Sequence, residues 1–380
     1  MTIPTYPKNN IGRDLIPLQI GNQTNQNNLY LLLTGTTDPT KPDHNTYYLS
    51  DFNGNVALFT ENLNRQSYSL QLQPGKQTIQ LPRLSGLRLY FSFDQPLLLT
   101  VPERGVPDSP AGWLPDSNYQ ILYDWVELTW EINDIDMTIG ANPTQVDLFG
   151  IPFEVELTGF DANGQSQTLQ GGFKTGGLRN QILGDLKQSP SPWNQLVIVN
   201  STTGDSLRAI CPYHGMEMNL FPKDQLDDYI NQVWNKYETE TLTVSAENVM
   251  FNGQVTQGNF VFTPTISGVE TITFPKPSTY TVYTSGPMPA KFTPKGGVIG
   301  AALQAGFMRS TLLLNTDLLA CDSSQYYQDN PVNEYARIIH HYAIDGGAYT
   351  FGFDDVCSGS SVIIIHNPQS AQITLLPFSK

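Results

Sequence analysis

The sequence predicts a mainly β fold into which a mixed α/β part is inserted. Short β-prone segments separated by turn pairs fill residues 1–175, helical spacing is confined to the middle, and the tail returns to strand. Only 14% of the residues are charged, against a typical ~25%, and the chain holds 31 glycines and 27 prolines. Few charges and many turn formers indicate a β-rich protein with long polar loops, and 380 residues can bury more than one core.

The strand segments of the first part are short and rich in leucine and aromatic residues. They lie at residues 29–34, 47–50, 56–59 and 87–93, and the turn pairs between them are Asn53-Gly54, Pro74-Gly75 and Ser85-Gly86. Strands at such spacing predict a sandwich or a barrel.

Apolar residues recur at helical spacing in four segments of the middle part. These segments are residues 177–187, a helix that begins at Pro222, residues 298–314 and residues 333–342. The helix at Pro222 is the best defined, because proline suits a first helical turn. One of its faces carries Leu226, Tyr229, Ile230, Val233 and Trp234.

Strand-like segments recur between the helix that begins at Pro222 and the one at residues 298–314, and again in the tail. They occupy residues 241–285 and, in the tail, residues 361–366 and 373–378. We therefore predict two domains that pack tightly: a β domain from residues 1–175 and 343–380, and a mixed α/β domain from residues 176–342.

The charge balance excludes some classes of partner. Lys and Arg number 20 against 35 Asp and Glu, a formal net charge of −15, which repels nucleic acid but not a neutral sugar polymer. No run of about 18 apolar residues occurs, so no membrane span is predicted. The first 14 residues lack the apolar stretch of a secretory signal, which leaves the localisation open.

The three cysteines are too widely spaced for a dense disulfide framework. Cys211, Cys321 and Cys357 allow at most one disulfide and leave one thiol free. Cys211 is followed by Pro-Tyr-His214, but one Cys and one His do not make a zinc site. We interpret both as structural residues in a turn, and we predict no metal and no cofactor.

The strongest candidate for chemistry is a carboxylate in the segment 121–130. The motifs Gly-x-Ser-x-Gly, P-loop and His-Glu-x-x-His are absent from the sequence. Both faces of the segment are largely apolar, which predicts a strand that is covered on both sides. Burial of Glu127 beside Tyr123 and Trp125 would raise its pKa, as a general acid requires. The open alternative is that Glu127 is salt-bridged or lies at a strand edge.

A second carboxylate, Asp147, precedes a Gly-x-Pro break and lies 20 positions after Glu127. The two side chains could therefore face each other across neighbouring strands. Asp134 and Asp136, in the connection between them, are weaker rivals that we interpret as part of a solvated loop. These patterns alone predict only a carboxylate pair in a β domain.

Motifs along most of the chain resemble glycoside hydrolase family 64, the laminaripentaose-producing β-1,3-glucanases. The most specific are Asp124-Trp-Val-Glu-Leu-Thr-Trp130 and Thr144-Gln-Val-Asp-Leu-Phe-Gly-Ile-Pro152, which resemble the active-site region of the family. Further matches, in the same order as in the family, are residues 16–20, 29–35, 81–86, 89–92, 333–346 and 348–356. Several ordered matches are specific where any one alone would not be.

The resemblance implies a thaumatin-like β-barrel domain beside an α/β domain, with a groove between them that holds a glucan chain. It implies an endo-acting, inverting hydrolase with Glu127 as general acid and Asp147 as general base. The further residues implied as substrate-binding or assisting are Asp116, Tyr123, Trp125, Thr144, Gln145 and either Asp354 or Asp355. The expected partner is β-1,3-glucan, bound by a monomer, and the family leads us to expect an extracellular protein.

Some features stay open at this point. The segment 131–143 is longer than expected of the family, which puts the local sugar subsites in doubt. We interpret His340 and His341 as packing residues of a helix, and Asp354 and Asp355 could equally cap a turn. The alternative function is a thaumatin-like protein that binds glucan without cutting it.

Overall fold

The structure is a computed structural model that describes residues 15–37, 45–113, 116–130, 137–176, 178–284 and 286–379. Strands dominate the first half and the tail, and helices are concentrated between them, so the mainly β prediction is confirmed. No helix in this described part of the chain is both long and apolar enough to cross a membrane.

The first half of the described chain folds into fourteen strands. They are β1 Leu15–Asn22, β2 Leu29–Thr36, β3 Thr46–Leu49, β4 Val56–Leu58, β5 Asn62–Ser67, β6 Leu70–Gln71, β7 Lys76–Pro82, β8 Ser85–Phe93, β9 Leu98–Val101, β10 Tyr123–Trp130, β11 Thr138–Pro143, β12 Leu148–Phe149, β13 Phe153–Phe160 and β14 Ser166–Gly172.

Helices and strands alternate in the second half. In chain order they are α1 Leu178–Gln188, β15 Val197–Val199, β16 Ser206–Ile210, α2 Pro212–Glu217, α3 Asp227–Lys236, β17 Leu242–Ala246, β18 Val249–Thr256, β19 Asn259–Pro264, β20 Ile272–Phe274, α4 Thr279–Thr284, α5 Pro294–Met308, α6 Glu334–Tyr342 and β21 Ile363–Leu375. Short 3-10 turns lie at Trp193–Leu196, Ser323–Gln325, Ile344–Gly346 and Val356–Ser358.

All four predicted helices exist, but two begin elsewhere than expected. Helix α3 begins at Asp227 rather than at Pro222, and at its start the hydroxyl of Thr279 accepts the N–H of Leu226 and donates to the Asp227 carboxylate. Helix α5 begins at Pro294, where the side chain of Thr293 accepts the backbone N–H of Gly296. Helices α2 and α4 were not predicted.

One large sheet contains twelve strands from both ends of the chain. Its main order is β14-β13-β21-β11-β10-β8-β2-β3-β4, with β1 beside β21 and β7, and with β6 beside β2. The β1–β21 pair is parallel and the others are antiparallel, so the sheet is mixed and nearly closes into a barrel. The two tail strands that were predicted separately are one strand, β21, which pairs with β1, β11 and β13.

The central strands of this sheet divide their side chains between two hydrophobic cores. In β10, Val126 and Leu128 join the core on one face, together with Leu31, Leu33, Leu89 and Phe91 from β2 and β8. Tyr123 and Trp125 join a second core on the other face, which contains the buried residues of helices α1, α3, α5 and α6. The expectation that this strand is covered on both sides is confirmed.

Smaller sheets and one disulfide complete the fold. The small sheets have the orders β12-β16-β15, β17-β18-β19-β20 and β5-β9. Cys321 and Cys357 form a disulfide and Cys211 is a buried free thiol, as the spacing of the cysteines allowed. The division into domains at residues 175 and 343 stays a prediction.

The buried carboxylate of Asp124, on β10, binds the backbone that connects β12 to β13. Its Oδ2 accepts the backbone N–H groups of Gly150 and Ile151 at 2.7 and 2.9 Å, and its Oδ1 accepts that of Trp125 at 2.8 Å. The guanidinium of Arg179, on α1, donates to the carbonyl of Gly150 at 2.6 Å. A Cβ at Gly150 would lie 2.7 Å from a backbone oxygen of Tyr123, so only glycine allows this close approach.

The protonation of Asp124 makes the free energy of unfolding depend on pH. Burial raises the pKa of Asp124 to about 7, against the effect of its three backbone hydrogen bonds. Between about pH 4 and 7 the folded state therefore holds a proton that the unfolded state has lost, and the stability contributed by Asp124 falls as the pH rises. We expect the difference in melting temperature between the wild type and Asp124→Asn to be largest below about pH 4 and to shrink towards pH 7.

The asparagine variant should be less stable throughout this range. Its amide would point a donor at a backbone N–H that needs an acceptor, which costs about 1–3 kcal/mol. The exposed Asp205→Asn variant is the matched control and should show a small, nearly constant difference. A gap for Asp124→Asn that widens with rising pH would contradict the assignment.

Candidate active site

Glu127 lies at the point where the outer face of the sheet leaves the second core. Residues pair across four strands in the order Thr34–Arg88–Glu127–Asn142. Two positions back along β10, Trp125 is 3% exposed, whereas the side chain of Glu127 is 35% exposed. The alternation of β10 thus brings a carboxylate to the surface directly beside buried aromatic residues.

The carboxylate of Glu127 is held through one oxygen. Arg88 Nε lies 3.2 Å from Oε1, and the indole Nε1 of Trp125 lies 3.4 Å from the same atom. Within the part of the chain that the structure describes, no hydrogen bond reaches Oε2. The salt-bridged alternative for Glu127 is therefore confirmed, whereas an edge position is wrong because β10 lies between β8 and β11. The deep burial expected of this side chain is not observed.

A cavity of about 370 Å³ opens beside Glu127. Most of its polar lining is uncharged. Its lining residues are Thr34, Thr36, Thr46, Gly86, Leu87, Arg88, Tyr90, Leu99, Val106, Pro107, Asp108, Ser109, Pro110, Glu127, Leu128 and Thr129. All of them belong to the first 130 residues, so this cavity is a recess in the sheet face and its covering loop.

Asp147 lies in the connection between β11 and β12, and not on a strand of the large sheet. The expectation that it faces Glu127 from a neighbouring strand is therefore wrong. The backbone carbonyl of Asp147 accepts the N–H of Cys211 at 2.9 Å, which fixes it at the start of the small β12-β16 pair. Its side chain is 35% exposed, like that of Glu127.

Buried residues hold the connection that carries Asp147. The backbone N–H of Gln145 donates to the carbonyl of Tyr349 at 2.7 Å, and its own carbonyl accepts the hydroxyl of Tyr335 at 2.7 Å. Thr144 and Gln145 are 3% and 2% exposed, and the side chain of Gln145 donates to the carbonyl of Pro143. Direct contact with a ligand is thus closed to both in this structure, and an assisting role through the loop stays a prediction.

The sequence around His214 predicts a structural residue, but its ring contacts Asp147, the candidate base. Nε2 of His214 lies 2.9 Å from Oδ1 of Asp147, and its Nδ1 lies 3.0 Å from Oε2 of Glu217. The ring stacks on Trp113, with centroids 3.7 Å apart and planes 11° apart. The interpretation of residues 211–214 as a turn is wrong, because Pro212 begins helix α2 and places His214 in its first turn.

Arg88 links the two candidate carboxylates electrostatically. Burial acts to lower the pKa of Arg88, but Tyr90, Glu127 and Asp147 hold it above its ordinary value. Arg88 thus pairs directly with Glu127 at 3.2 Å, whereas Asp147 makes the smallest of these contributions. The sequence signal for Arg88 was available, since it is a charged residue in the otherwise apolar strand segment 87–91.

The remaining predicted site residues take supporting positions. Asp116 accepts the backbone N–H groups of Ala111 and Asn118 and pairs with Arg65 at 3.2 Å. Tyr123 is fully buried beneath the guanidinium of Arg208, whose carbon lies 4.9 Å from the ring centre. Neither these contacts nor the burial of Trp125 leaves a free aromatic face for a sugar, so only an assisting role remains for Tyr123 and Trp125.

Asp354 and Asp355 differ sharply in exposure. Asp354 is fully buried, and its carboxylate contacts His340 at 2.8 Å, Arg309 at 3.1 Å and the hydroxyl of Thr350 at 2.7 Å. Burial acts to raise the pKa of Asp354, but His340, Arg309 and Thr350 hold it below its ordinary value. Asp355 is exposed, so of the two it alone could touch a ligand directly.

The connection between the two candidate carboxylates is only partly described, and a metal site can be assessed only in the described part of the chain. Asp134 and Asp136 lie outside the described residues, and the segment 131–143 is described only from residue 137. Among the residues that are described, no group of three or more His, Cys, Asp and Glu side chains could hold a metal ion.

Comparison with known proteins gives one consistent family. The model of glycoside hydrolase family 64, described as β-1,3-glucanase, matches residues 14–375. A glucan endo-1,3-β-glucosidase of Cellulosimicrobium cellulans is 33% identical over 310 residues, which are 80% of this chain and 54% of that protein. The chain thus spans about half the length of the curated relatives it matches, an Arthrobacter protein of the same description included.

Solved structures agree over nearly the whole chain. A laminaripentaose-producing β-1,3-glucanase in complex with laminaritetraose has a TM-score of 0.82 and 31% identity, with 96% of this chain and 99% of that chain covered. A family 64 β-1,3-glucanase domain from Clostridium beijerinckii has a TM-score of 0.76 at 24% identity, covers 95% and 98% of the two chains, and supports the fold alone.

Proposed function

This chain belongs to glycoside hydrolase family 64, and on that premise we propose that it cleaves β-1,3-glucan within the chain and releases short laminari-oligosaccharides. The observation that carries the proposal is the pair of half-exposed carboxylates, Glu127 held by Arg88 and Asp147 held by His214. The relatives support the substrate class, because they are glucan endo-1,3-β-glucosidases and one solved relative holds laminaritetraose.

Glu127 acts as the general acid in this proposal. It donates a proton to the glycosidic oxygen as the bond from that oxygen to the anomeric carbon breaks. Arg88 and Trp125 both bind Oε1, which leaves Oε2 for the substrate. The same two donors stabilise the carboxylate that remains after the proton has left.

Asp147 acts as the general base. A water molecule attacks the anomeric carbon from the opposite face of the sugar ring and gives a proton to the Asp147 carboxylate. The water oxygen forms the new bond, so the anomeric configuration inverts. No group other than water, the acid and the base is needed for the atoms and charges to balance.

The lining of the cavity beside Glu127 suits a neutral sugar chain. It contains four threonines and Ser109, whose hydroxyl groups can bond sugar hydroxyls without a charge. We propose that residues 1–175 and 343–380 form a thaumatin-like β domain, that residues 176–342 form the second domain, and that the glucan lies in a groove between them. Support comes from β21, which pairs with β1 in the large sheet.

The first prediction is that Glu127→Gln and Asp147→Asn each lower kcat on a soluble β-1,3-glucan by about 10²–10⁴-fold. Each amide keeps the shape of the side chain but removes the proton donor or the base, so glucan binding and melting temperature should change little. Product release is measured by chromatography, and binding by calorimetry with a laminari-oligosaccharide.

Glu156→Gln, at a half-buried position on β13, and Asp205→Asn, at an exposed position, are matched control substitutions and should retain activity. Activity of a Glu127 or Asp147 variant within about tenfold of the wild type would reject the role of that residue. A wild-type protein that binds the oligosaccharide but releases no product would favour the non-catalytic alternative.

The second prediction is that the first product is the α-anomer. An inverting pair leaves room for the attacking water, with carboxyl groups roughly 6.5–9.5 Å apart, whereas a retaining pair lies about 5 Å apart. Proton NMR of freshly released sugar distinguishes the two, provided spectra are recorded before mutarotation. A β-anomer that appears first, or a glycosyl group trapped on Asp147, would make Asp147 a nucleophile instead of a base.

A further inference from the structure

His214 connects two carboxylates that come from different elements. Asp147 precedes β12, whereas Glu217 ends α2, and each ring nitrogen of His214 faces one of them at hydrogen-bond distance. The side chain of His214 is only 5% exposed, although its two partners are 35% and 29% exposed. A nearly buried imidazole thus contacts the proposed base from the interior of the protein.

Several contacts fix the plane of this ring. Trp113 stacks on it nearly in parallel, and the ring of Tyr213 lies tilted beside it with centroids 4.7 Å apart. The backbone N–H of Cys211, which precedes α2, donates to the carbonyl of Asp147 at 2.9 Å. The side chain of His214 and the backbone of Asp147 are therefore held in one rigid unit, which leaves the imidazole little freedom to turn away.

The number of N–H groups on the His214 ring decides how many of its two contacts can be hydrogen bonds. A neutral imidazole has one N–H, so one of its two carboxylate partners would face a nitrogen lone pair. In either form of the ring an N–H can donate to Oδ1 of Asp147, and a carboxylate accepts such a bond more strongly than a neutral acid does. An ionised Asp147 is the form that a general base requires.

The contact also selects one oxygen of Asp147. His214 binds Oδ1, and none of the described residues donates a hydrogen bond to Oδ2. Since the side chain is 35% exposed and Oδ1 is bonded to His214, Oδ2 is the oxygen left to accept a hydrogen bond from water. Rotation of the carboxylate would exchange the two oxygens, and the bond to His214 opposes that rotation.

We propose that His214 is a positioning residue for the general base: it holds Oδ1 of Asp147 so that Oδ2 is presented to the attacking water. Glu217 and Trp113 serve this role by fixing the ring. The proposal rests on the proposed function, since it needs Asp147 to be the base. It extends that function by a residue that acts through Asp147 and not on the sugar.

Two amide variants test the proposal. In His214→Gln the amide nitrogen can occupy the place of Nε2 and still donate to Asp147. In His214→Asn it can occupy only the place of Nδ1, so it reaches Glu217 and not Asp147. We expect His214→Asn to lower kcat about 10²-fold, because a small misplacement of a reacting group costs that much, and His214→Gln to stay within about tenfold of the wild type. KM should change by less than about twofold in both.

A role in packing alone predicts a different order. Both amides lose the stacking on Trp113 and would be equally impaired, whereas His214→Phe keeps an aromatic ring there and would be the most active. If His214→Phe retains kcat, or if the two amide variants have equal kcat, the proposal is overturned. The comparison of the amides decides even where the phenylalanine variant does not fold. His341→Asn, at an exposed position on α6, is the matched control.

A double variant separates this proposal from the proposed function. Adding His214→Asn to Asp147→Asn should lower kcat no further than Asp147→Asn alone, since both act through one carboxylate. A further loss of about 10²-fold would overturn the positioning role. If Asp147→Asn itself retains activity, the assignment of the base fails. If Asp147→Asn is inactive and His214→Asn retains kcat, only the positioning role fails.

Discussion

Strand β10 is shared by two hydrophobic cores, and the geometry of the candidate site depends on this constraint. Because side chains alternate between the faces of a strand, Val126 and Leu128 must enter one core while Tyr123 and Trp125 enter the other. A shift of one residue would exchange the faces and put Glu127 inside the barrel. The register that satisfies both cores therefore also sets the place of the carboxylate, next to Arg88 and at the end of the buried aromatic run.

The position of Asp147 depends on hydrogen bonds rather than on strand register, and Asp124 is the residue that connects the two parts of the site. Backbone hydrogen bonds to this carboxylate attach the segment after Asp147 to the strand that carries Glu127. The connection itself is short and is held by buried contacts, so the two proposed catalytic carboxylates are supported by one connected part of the fold. Such preorganisation is what acid–base chemistry at two faces of a sugar ring requires. The two carboxylates are half-exposed, whereas Trp125 beside Glu127 and His214 beside Asp147 are buried.

Local patterns predicted what depends on local sequence. The two-sided burial of β10 and the apolar face of α3 follow from periodicity alone. Contacts between distant segments could not be predicted, since His214 lies 67 positions after Asp147 and meets it only through the β12–β16 pair. The burial of Trp125 was predicted correctly, but the exposure of Glu127 two positions later depends on where the second core ends, which no period reveals. The family resemblance supplied the roles of the two acids, and those roles remain proposals.

In the proposed mechanism, Glu127 and Asp147 lie on opposite sides of a glucan bond, next to the buried aromatic residues of β10. The most direct measurement is a crystal structure of the Glu127→Gln variant with a laminari-oligosaccharide that spans the cleavage point. We predict that the side chain at position 127 lies within hydrogen-bond distance of a glycosidic oxygen, with an ordered water between Asp147 and the anomeric carbon on the other face. A sugar chain bound away from both residues, or an Asp147 carboxylate in direct contact with the anomeric carbon, would contradict the account.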